Sequence, residues 1–331
     1  MWLIIHPGYS KTATTFFQNK VFPKINGLDY IGKLNPGMAN KDIEDILLLD
    51  FFGQASSNYS KKVPQFARTI ADYMLSSKND TFLISIEELQ DRDTNVVNKA
   101  KKYNTNTDYN LFRINLLFEA IKSLVGDLTL DFLITIREQK SFLCSNYAGS
   151  YPVFMKSMYN FNSVDTFEKF IEDGLCSPYD NWIGSLFYAD EIKKYEELEL
   201  GSVKVMLYED FKYDPVAYLN ELFSFLGFAV DPLEFINDPA ENVSSDFSGN
   251  YFNSGGFLYK ILSSIYLAFP NYFRERFFAS IKGFLYKKVT DKVYVKMNDK
   301  HAAMLDDLYR ENNLILSKKY GLNLRARGYS T

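Results

Sequence analysis

Lys11 stands in a run of small hydroxyl residues, Ser10, Thr12, Thr14 and Thr15, just behind the turn residues Pro7 and Gly8. An amine among hydroxyls at the start of a helical pattern is suited to holding an anion. The first N–H groups of a helix have no internal partners, its dipole favours negative charge there, and the lysine adds a mobile point charge. Further along, Arg137 leaves an apolar run and Ser145 follows eight residues later in a helical pattern. A guanidinium fork beside a neutral donor suits a phosphate monoester. Glu87 and Glu88 follow another apolar run, where a carboxylate can take the proton of an attacking hydroxyl. His6 is the rival base, by the ordinary pKa of its ring. Each feature also has a plainer reading. Threonine-rich helix starts are common N-caps, and a strand-end arginine commonly serves a surface ion pair. Paired glutamates favour helix starts, and His6 can simply pack at a strand end.

Stepping outward, these residues need elements to carry them. Trp2 to Ile5, Leu28 to Ile31, Thr81 to Ile86, Leu128 to Ile136 and Val203 to Tyr208 are short apolar runs that read as buried parallel strands. Helical spacing begins at about Thr14 and recurs over Ile43 to Phe52, Val63 to Ser76, Leu111 to Val125, Gln139 to Ser150, Phe187 to Glu197 and Val216 to Leu226. Gly227 is a natural C-cap for the last of these. Gly32 to Lys41 and Lys101 to Asn110 are polar and read as loops. Strands alternating with helices predict an α/β fold with a central parallel sheet, its ligand at the carboxyl ends of the strands.

Composition narrows the function classes. A chain of 331 residues with 47% hydrophobic and 24% charged residues can bury one large core, and a single domain over 1–331 is expected. A net charge of −4 provides no global field for a polyanion, which argues against nucleic acid as partner. With two cysteines and two histidines, a disulfide framework, a zinc site and a Ser-His-Asp triad are all poorly supported. The N-terminus runs straight into the loop, so a cytoplasmic protein without signal peptide is expected. Phe257 to Lys288, within a basic aromatic helical segment over 257–296, carries Lys260, Arg274, Arg276, Lys282, Lys287 and Lys288 against Glu275 alone. Pro270 and Gly283 interrupt it too often for a membrane span. It reads as core with a solvated basic face, as a peripheral contact with the inner membrane surface, or as a groove for an acidic or lipid-linked saccharide.

The loop is not a Walker A motif, which requires G-x-x-x-x-G-K-[ST] with glycine next to lysine. Here Gly8 is followed five residues on by Ala13 and then Thr14, and Lys11 sits in mid-loop. Tyr9-Ser10-Lys11-Thr12-Ala13-Thr14-Thr15-Phe16 instead resembles the sulfotransferase loop Y-P-K-[ST]-G-T-T-W. Ser10 replaces the proline and Ala13 the glycine, which removes some rigidity and adds one methyl but deletes no charge or donor. Ile136-Arg137 to Ser145-Asn146-Tyr147 resembles that family's Arg-x7-Ser element. Val205 to Phe211, with Asp214-Pro215 and Leu226-Gly227, resembles its l-Y-E-D-l…D-P…fLG stretch. Ser85-Ile86-Glu87-Glu88 resembles the S-S-E variant of bacterial members, and Asn312 or Asn313 to Leu322, with Tyr320-Gly321, their terminal helix.

The resemblance implies a P-loop-like three-layer fold, a central parallel sheet flanked by helices. It implies the donor PAPS (3′-phosphoadenosine 5′-phosphosulfate), the product adenosine 3′,5′-bisphosphate, and no metal. Ser10, Lys11, Thr12, Ala13, Thr14 and Thr15 would hold the 5′-phosphosulfate, and Arg137 with Ser145 the 3′-phosphate. Phe16 would lie against the adenine or, equally, in the core. Lys11 would stabilise the leaving phosphate and Glu87 would serve as base, with Glu88 starting the next helix. Glu209 and Asp210 are read as structural, tying the end of the last strand to basic neighbours. The acceptor implied is a saccharide or glycan hydroxyl, as in bacterial carbohydrate-type members, with a small alcohol or phenol as alternative. The rival readings are a small-molecule kinase using the same loop, and a catalytically inactive glycan- or membrane-binding protein.

Overall fold

The structure, a computed structural model, describes residues 1–9, 11–32, 59–85, 109–150, 167–179, 182–236, 295 and 297–331. Five strands form one parallel sheet: β1 (Trp2–His6), β2 (Leu28–Gly32), β3 (Thr81–Ser85), β4 (Thr129–Ile136) and β5 (Val203–Leu207), in the spatial order β2-β3-β1-β4-β5. The strands end within a residue or two of where the apolar runs end. The exception is Tyr208, which continues the run of β5 yet opens a helix.

Successive strand residues face opposite ways, so each run feeds two cores. Leu3, Ile5, Phe82, Ile84, Phe132, Ile134, Val205 and Leu207 point to one side. Ile4, Leu83, Leu133 and Met206 point to the other. On the first face pack α2 (Tyr59–Ser76), α3 (Tyr109–Val125), α4 (Gln139–Ser150), α5 (Phe167–Leu175) and α6 (Tyr188–Glu196). The long helix near the C-terminus, Asp299–Tyr320, packs there too. The second face is covered by the helical turns that follow β1 and by Pro215–Leu226. This is the α/β fold with a central parallel sheet that the run pattern predicts, in the three layers that the resemblance implies.

In chain order the remaining helices are α1 (Thr14–Phe16), α7 (Tyr208–Tyr213), α8 (Pro215–Leu226), α9 (Leu233–Ile236) and α10 (Asp299–Tyr320). Helix α1 continues without a break into a π-helical turn over Phe17–Val21 and a 3-10 turn over Phe22–Lys24. Helix α8 is capped by Asp214, whose carboxylate accepts from the Ala217 N–H, and closes on Gly227 in the left-handed conformation. Helix α10 starts thirteen residues before Asn312, where Asn298 caps it by accepting the His301 N–H. Its first half is polar outside and gives little sequence signal.

Strand β1 sits between β3 and β4, and the chain leaves β1 and β4 in opposite directions. From β1 it proceeds toward β2 on one side, and from β4 toward β5 on the other. The gap between the carboxyl ends of β1 and β4 is therefore the topological switch point, where open α/β sheets bind ligands. Register sets the heights there. Ile5 pairs with Phe132, an offset of 127, so His6 ends β1 level with Leu133 while β4 runs on to Ile136. Arg137 thus emerges four residues beyond that level, about 13 Å higher at roughly 3.3 Å per residue. That is the height of the loop which follows β1.

Among the described residues, no helix is long and apolar enough to cross a membrane. The helix expected over Ile43 to Phe52, residues 101–108 of the loop expected over Lys101 to Asn110 and the basic aromatic stretch Phe257 to Lys288 lie outside the described residues, while Tyr109 and Asn110 open α3 rather than closing that loop. The turn into β5 depends on one close approach. Ser202 donates its N–H to Asp131 Oδ1 at 2.6 Å and accepts the Phe132 N–H at 2.9 Å. A Cβ on the preceding Gly201 would fall 1.5 Å from the Leu130 carbonyl oxygen. Backbone must move to admit it, so Gly201→Ala is expected to lower stability by about 1–3 kcal/mol. Urea unfolding should show a lower midpoint at unchanged slope.

Candidate functional site

The loop after β1 is built by hydroxyls that face inward. Thr12 Oγ1 donates to the Tyr9 carbonyl at 2.5 Å, and Thr14 Oγ1 donates to the same carbonyl at 3.2 Å. Both threonines are buried. Tyr9 itself is anchored by its phenol, which donates to the Ser185 carbonyl at 2.9 Å, and by an edge contact with Tyr188. Two non-glycine residues, Lys11 at φ 65° and Ala13 at φ 63°, adopt the left-handed conformation. Such residues cost of order 1–3 kcal/mol each and persist where surrounding contacts over-determine them. Ala13 is also the N-cap of α1 and offers no side-chain acceptor to the helix-start N–H groups. The loop thus keeps its hydroxyls for itself at Thr12 and Thr14. It turns outward the exposed Lys11 and Thr15, with the uncapped N–H groups behind them.

Arg137 meets this loop from β4. Its Nη1 donates to the Lys11 carbonyl at 2.8 Å, the carbonyl that the left-handed turn directs inward. Its Nε donates to Ser141 Oγ at 3.0 Å, and its guanidinium lies 4.7 Å from the centre of the Tyr208 ring. The residue is 7% exposed. Among the described residues its Nη2 has no hydrogen-bond partner, and no carboxylate comes within ion-pair distance. The surface ion pair that a strand-end arginine commonly makes is therefore absent among these residues. Ser145 is half-buried one turn beyond Ser141 on α4. Ser141 was not singled out by the sequence, although its i,i+4 spacing from Arg137 is a signal.

The backbone that carries Arg137 is held residue by residue. Tyr188 donates its phenol to the Arg137 carbonyl at 2.6 Å, and the Glu138 N–H donates to Glu209 Oε1 at 2.9 Å. Glu138 accepts the N–H groups of Lys140 and Ser141 and so caps α4. Gln139 Nε2 donates to Asn313 Oδ1 at 2.7 Å. Burial raises the carboxyl pKa of both Glu138 and Glu209, partly offset by the backbone N–H groups each accepts. Asp210 binds Arg327 Nε at 2.5 Å. Asp210 therefore meets a basic neighbour, as the sequence suggests, whereas Glu209 holds a backbone N–H and the Tyr329 phenol instead.

Phe16 is half-buried at the rim of the second core, with its ring 5.3 Å from Phe211 and 5.5 Å from Phe17. Ser10, Glu87 and Glu88 lie outside the described residues. Among the described residues, no group of three histidine, cysteine, aspartate or glutamate side chains is placed to hold a metal ion.

His6, the rival base, sits in a buried hydrogen-bond chain. Gln18 Nε2 approaches Ser85 Oγ at 3.0 Å and the Ser85 carbonyl at 3.4 Å. A carbonyl only accepts, which assigns the NH2 side of Gln18 to Ser85. Ser85 Oγ also meets His6 Nδ1 at 2.9 Å, and the tautomer of the ring sets which of the two donates. Burial pushes the His6 pKa down to about 4. The ring is buried and held at the end of β3, as the packing reading of His6 expects.

No family model and no curated protein matches the chain. Among solved structures, it is similar to a sulfotransferase from Alicyclobacillus acidocaldarius, at 12% identity and a TM-score of 0.45, over 98% of this chain and 97% of that one. It is also similar to mouse sulfotransferase SULT7A1 complexed with PAP, at 14% identity and a TM-score of 0.38, over 92% and 88% of the two chains.

The His6 chain has a measurable pH signature. An unfolded histidine titrates near 6.5, so the unfolded chain binds the extra proton first as pH falls. The folded state keeps its full advantage above pH 6.5 and loses about 3 kcal/mol of it by pH 4. His6→Asn is expected to remove that part of the acid slope, read as the difference between the two proteins in unfolding free energy against pH. The wild-type imidazole should show no titration by NMR above pH 5.

Proposed function

We propose that this chain is a PAPS-dependent sulfotransferase acting on a hydroxyl acceptor, with a saccharide or glycan as the acceptor class. The observation that carries the reading is Arg137: a buried guanidinium, short of one partner, beside a lysine loop at the switch point of the sheet. A buried cation with no carboxylate within ion-pair distance among the described residues is costly, and a phosphate group bound there would offset that cost. Two cationic anchors on adjacent strands suit a donor with two separate anionic groups. That distinguishes the 3′-phosphate and 5′-phosphosulfate of PAPS from the single polyphosphate chain of ATP.

In this reading the exposed Lys11 and the loop N–H groups hold the 5′-phosphosulfate, with Ser10, Thr12, Ala13, Thr14 and Thr15 shaping the turn. Lys11 neutralises the charge that grows on the leaving phosphate as the sulfur–oxygen bond breaks. Arg137 and Ser145 bind the 3′-phosphate, Phe16 borders the adenine, and Glu87 accepts the proton of the attacking hydroxyl. Fixed charges aimed at the developing charge, and in-line positioning, supply the rate enhancement. This chemistry is the counterpart of phosphoryl transfer, and Lys11 takes the charge-neutralising role on the leaving group. Phe257 to Lys288 is the proposed surface for a lipid-linked or membrane-bound acceptor, and the cytoplasm is the proposed compartment.

Thermal unfolding with adenosine 3′,5′-bisphosphate, ATP and AMP tests the donor. At about a hundred times Kd the bisphosphate should stabilise the wild type by about 2.7 kcal/mol. The shift should disappear in Arg137→Ala and Lys11→Ala, each measured against its own ligand-free baseline. An equal or larger shift with ATP would favour the kinase reading and reject this one. Once an acceptor is found, Glu87→Gln should lower kcat by about 10²–10⁴-fold while leaving bisphosphate affinity unchanged. Unchanged turnover would remove Glu87 as the base.

A further inference from the structure

The turn at residues 325–330 lies far from the loop in sequence, yet it closes a ring of contacts around Arg137. Tyr329 donates its phenol to Glu209 Oε2 at 3.1 Å, and the other oxygen of that carboxylate holds the Glu138 N–H. Arg327 binds Asp210 and places its guanidinium 4.3 Å from the Tyr213 ring centre. These ties span α7, the helix whose first residue, Tyr208, lies under the Arg137 guanidinium. The other side of the turn is held by Asn313, whose Nδ2 donates to the Ser330 carbonyl at 3.0 Å while its Oδ1 accepts from Gln139.

Tyr329 is 3% exposed, and burial raises its phenol pKa well above the ordinary value, so it stays a donor. The Glu209 carboxylate it meets is faced by Arg137 and the Glu138 N–H from the β4–α4 junction, by Tyr188 from α6, and by Tyr218 from α8. A carboxylate shared between a backbone N–H of the arginine segment and a distant phenol transmits position, because moving either donor strains the other bond.

We propose that the 325–330 turn is a positioning element for the anion-binding arginine: Tyr329, through Glu209, and Arg327, through Asp210, hold the Arg137 segment and its Tyr208 platform in the geometry that selects a 3′-phosphate. The selectivity part rests on the sulfotransferase reading; the positioning part stands on the contacts alone.

Tyr329→Phe keeps the ring and deletes one donor. Calorimetry with adenosine 3′,5′-bisphosphate and with AMP reads selectivity. The preference for the bisphosphate should shrink about fivefold to tenfold, the size of one ordinary hydrogen bond lost, with AMP affinity changed less than about twofold. A second readout needs no nucleotide. The Arg137 Nε–H resonance, identified by its loss in Arg137→Lys, should exchange slowly with water in the wild type and markedly faster in Tyr329→Phe. Arg327→Gln cuts the other tie at a half-buried pair and serves if the first variant does not fold. A lower melting temperature with unchanged preference and unchanged Nε–H exchange would show the turn to be a stability element only, and would overturn the proposal. A wild type that does not prefer the bisphosphate over AMP would overturn the selectivity part together with the donor reading. The exchange measurement would then still decide the positioning part.

Discussion

The hydrogen bond from Arg137 Nη1 to the Lys11 carbonyl joins the two halves of the site. It runs from the segment after β4 to the loop after β1, and it requires both a carbonyl turned inward and a guanidinium raised to meet it. The first requirement is met by the left-handed backbone at Lys11 and Ala13. The second is met by the register, which lifts Arg137, just past the end of β4, four residues above the end of β1. Strain in one place and a longer strand in the other are thus two sides of one constraint. A loop fixed before any ligand arrives has little reorganisation left to do on binding, which is how a small number of donors becomes effective.

Around that bond the molecule spends an unusual density of buried polar contacts. Tyr188, Glu209 and Asn313 secure three consecutive residues, 137–139, from three directions. Buried polar networks stabilise little on balance when each group had water before folding. Their effect is to exclude alternative placements, since any shift leaves a donor or acceptor unsatisfied. The His6–Ser85–Gln18 chain does the same for the ends of β1, β3 and the first helical turns. Both strand ends that flank the loop are therefore locked by directional contacts as well as by apolar packing.

Much of this architecture was legible in the sequence, because parallel strands buried on both faces are uninterrupted apolar runs and cannot be mistaken for loops. The lysine–threonine loop and Arg137 were legible because each brings a cation in directly after an apolar run. Other parts were not, for specific reasons. Tyr208 extends the apolar run of β5, so the switch to helix α7 at that residue leaves no trace in the pattern. The π-helical turn over Phe17–Val21 has a spacing that an ordinary helix also fits. The inward rotation of the Thr12 and Thr14 hydroxyls depends on where the Tyr9 carbonyl lies, which only the folded loop defines. The phenol of Tyr329 meets a carboxylate 120 residues away, and no local spacing encodes such a meeting.

Asn312 and Asn313 are neighbours on α10, so their side chains leave the helix axis about 100° apart. One accepts the Ala189 N–H and fixes the start of α6; the other clasps Gln139 and fixes the start of α4. Helix α10 therefore acts as a jig that sets the angle between two other helices, with adjacent residues as its pins. Its rotation is consequently quantised. Inserting or deleting one residue upstream would swing both pins off their targets together, while most substitutions along its outer face would leave the setting intact. Evolution can repaint that helix freely, but it cannot slide it.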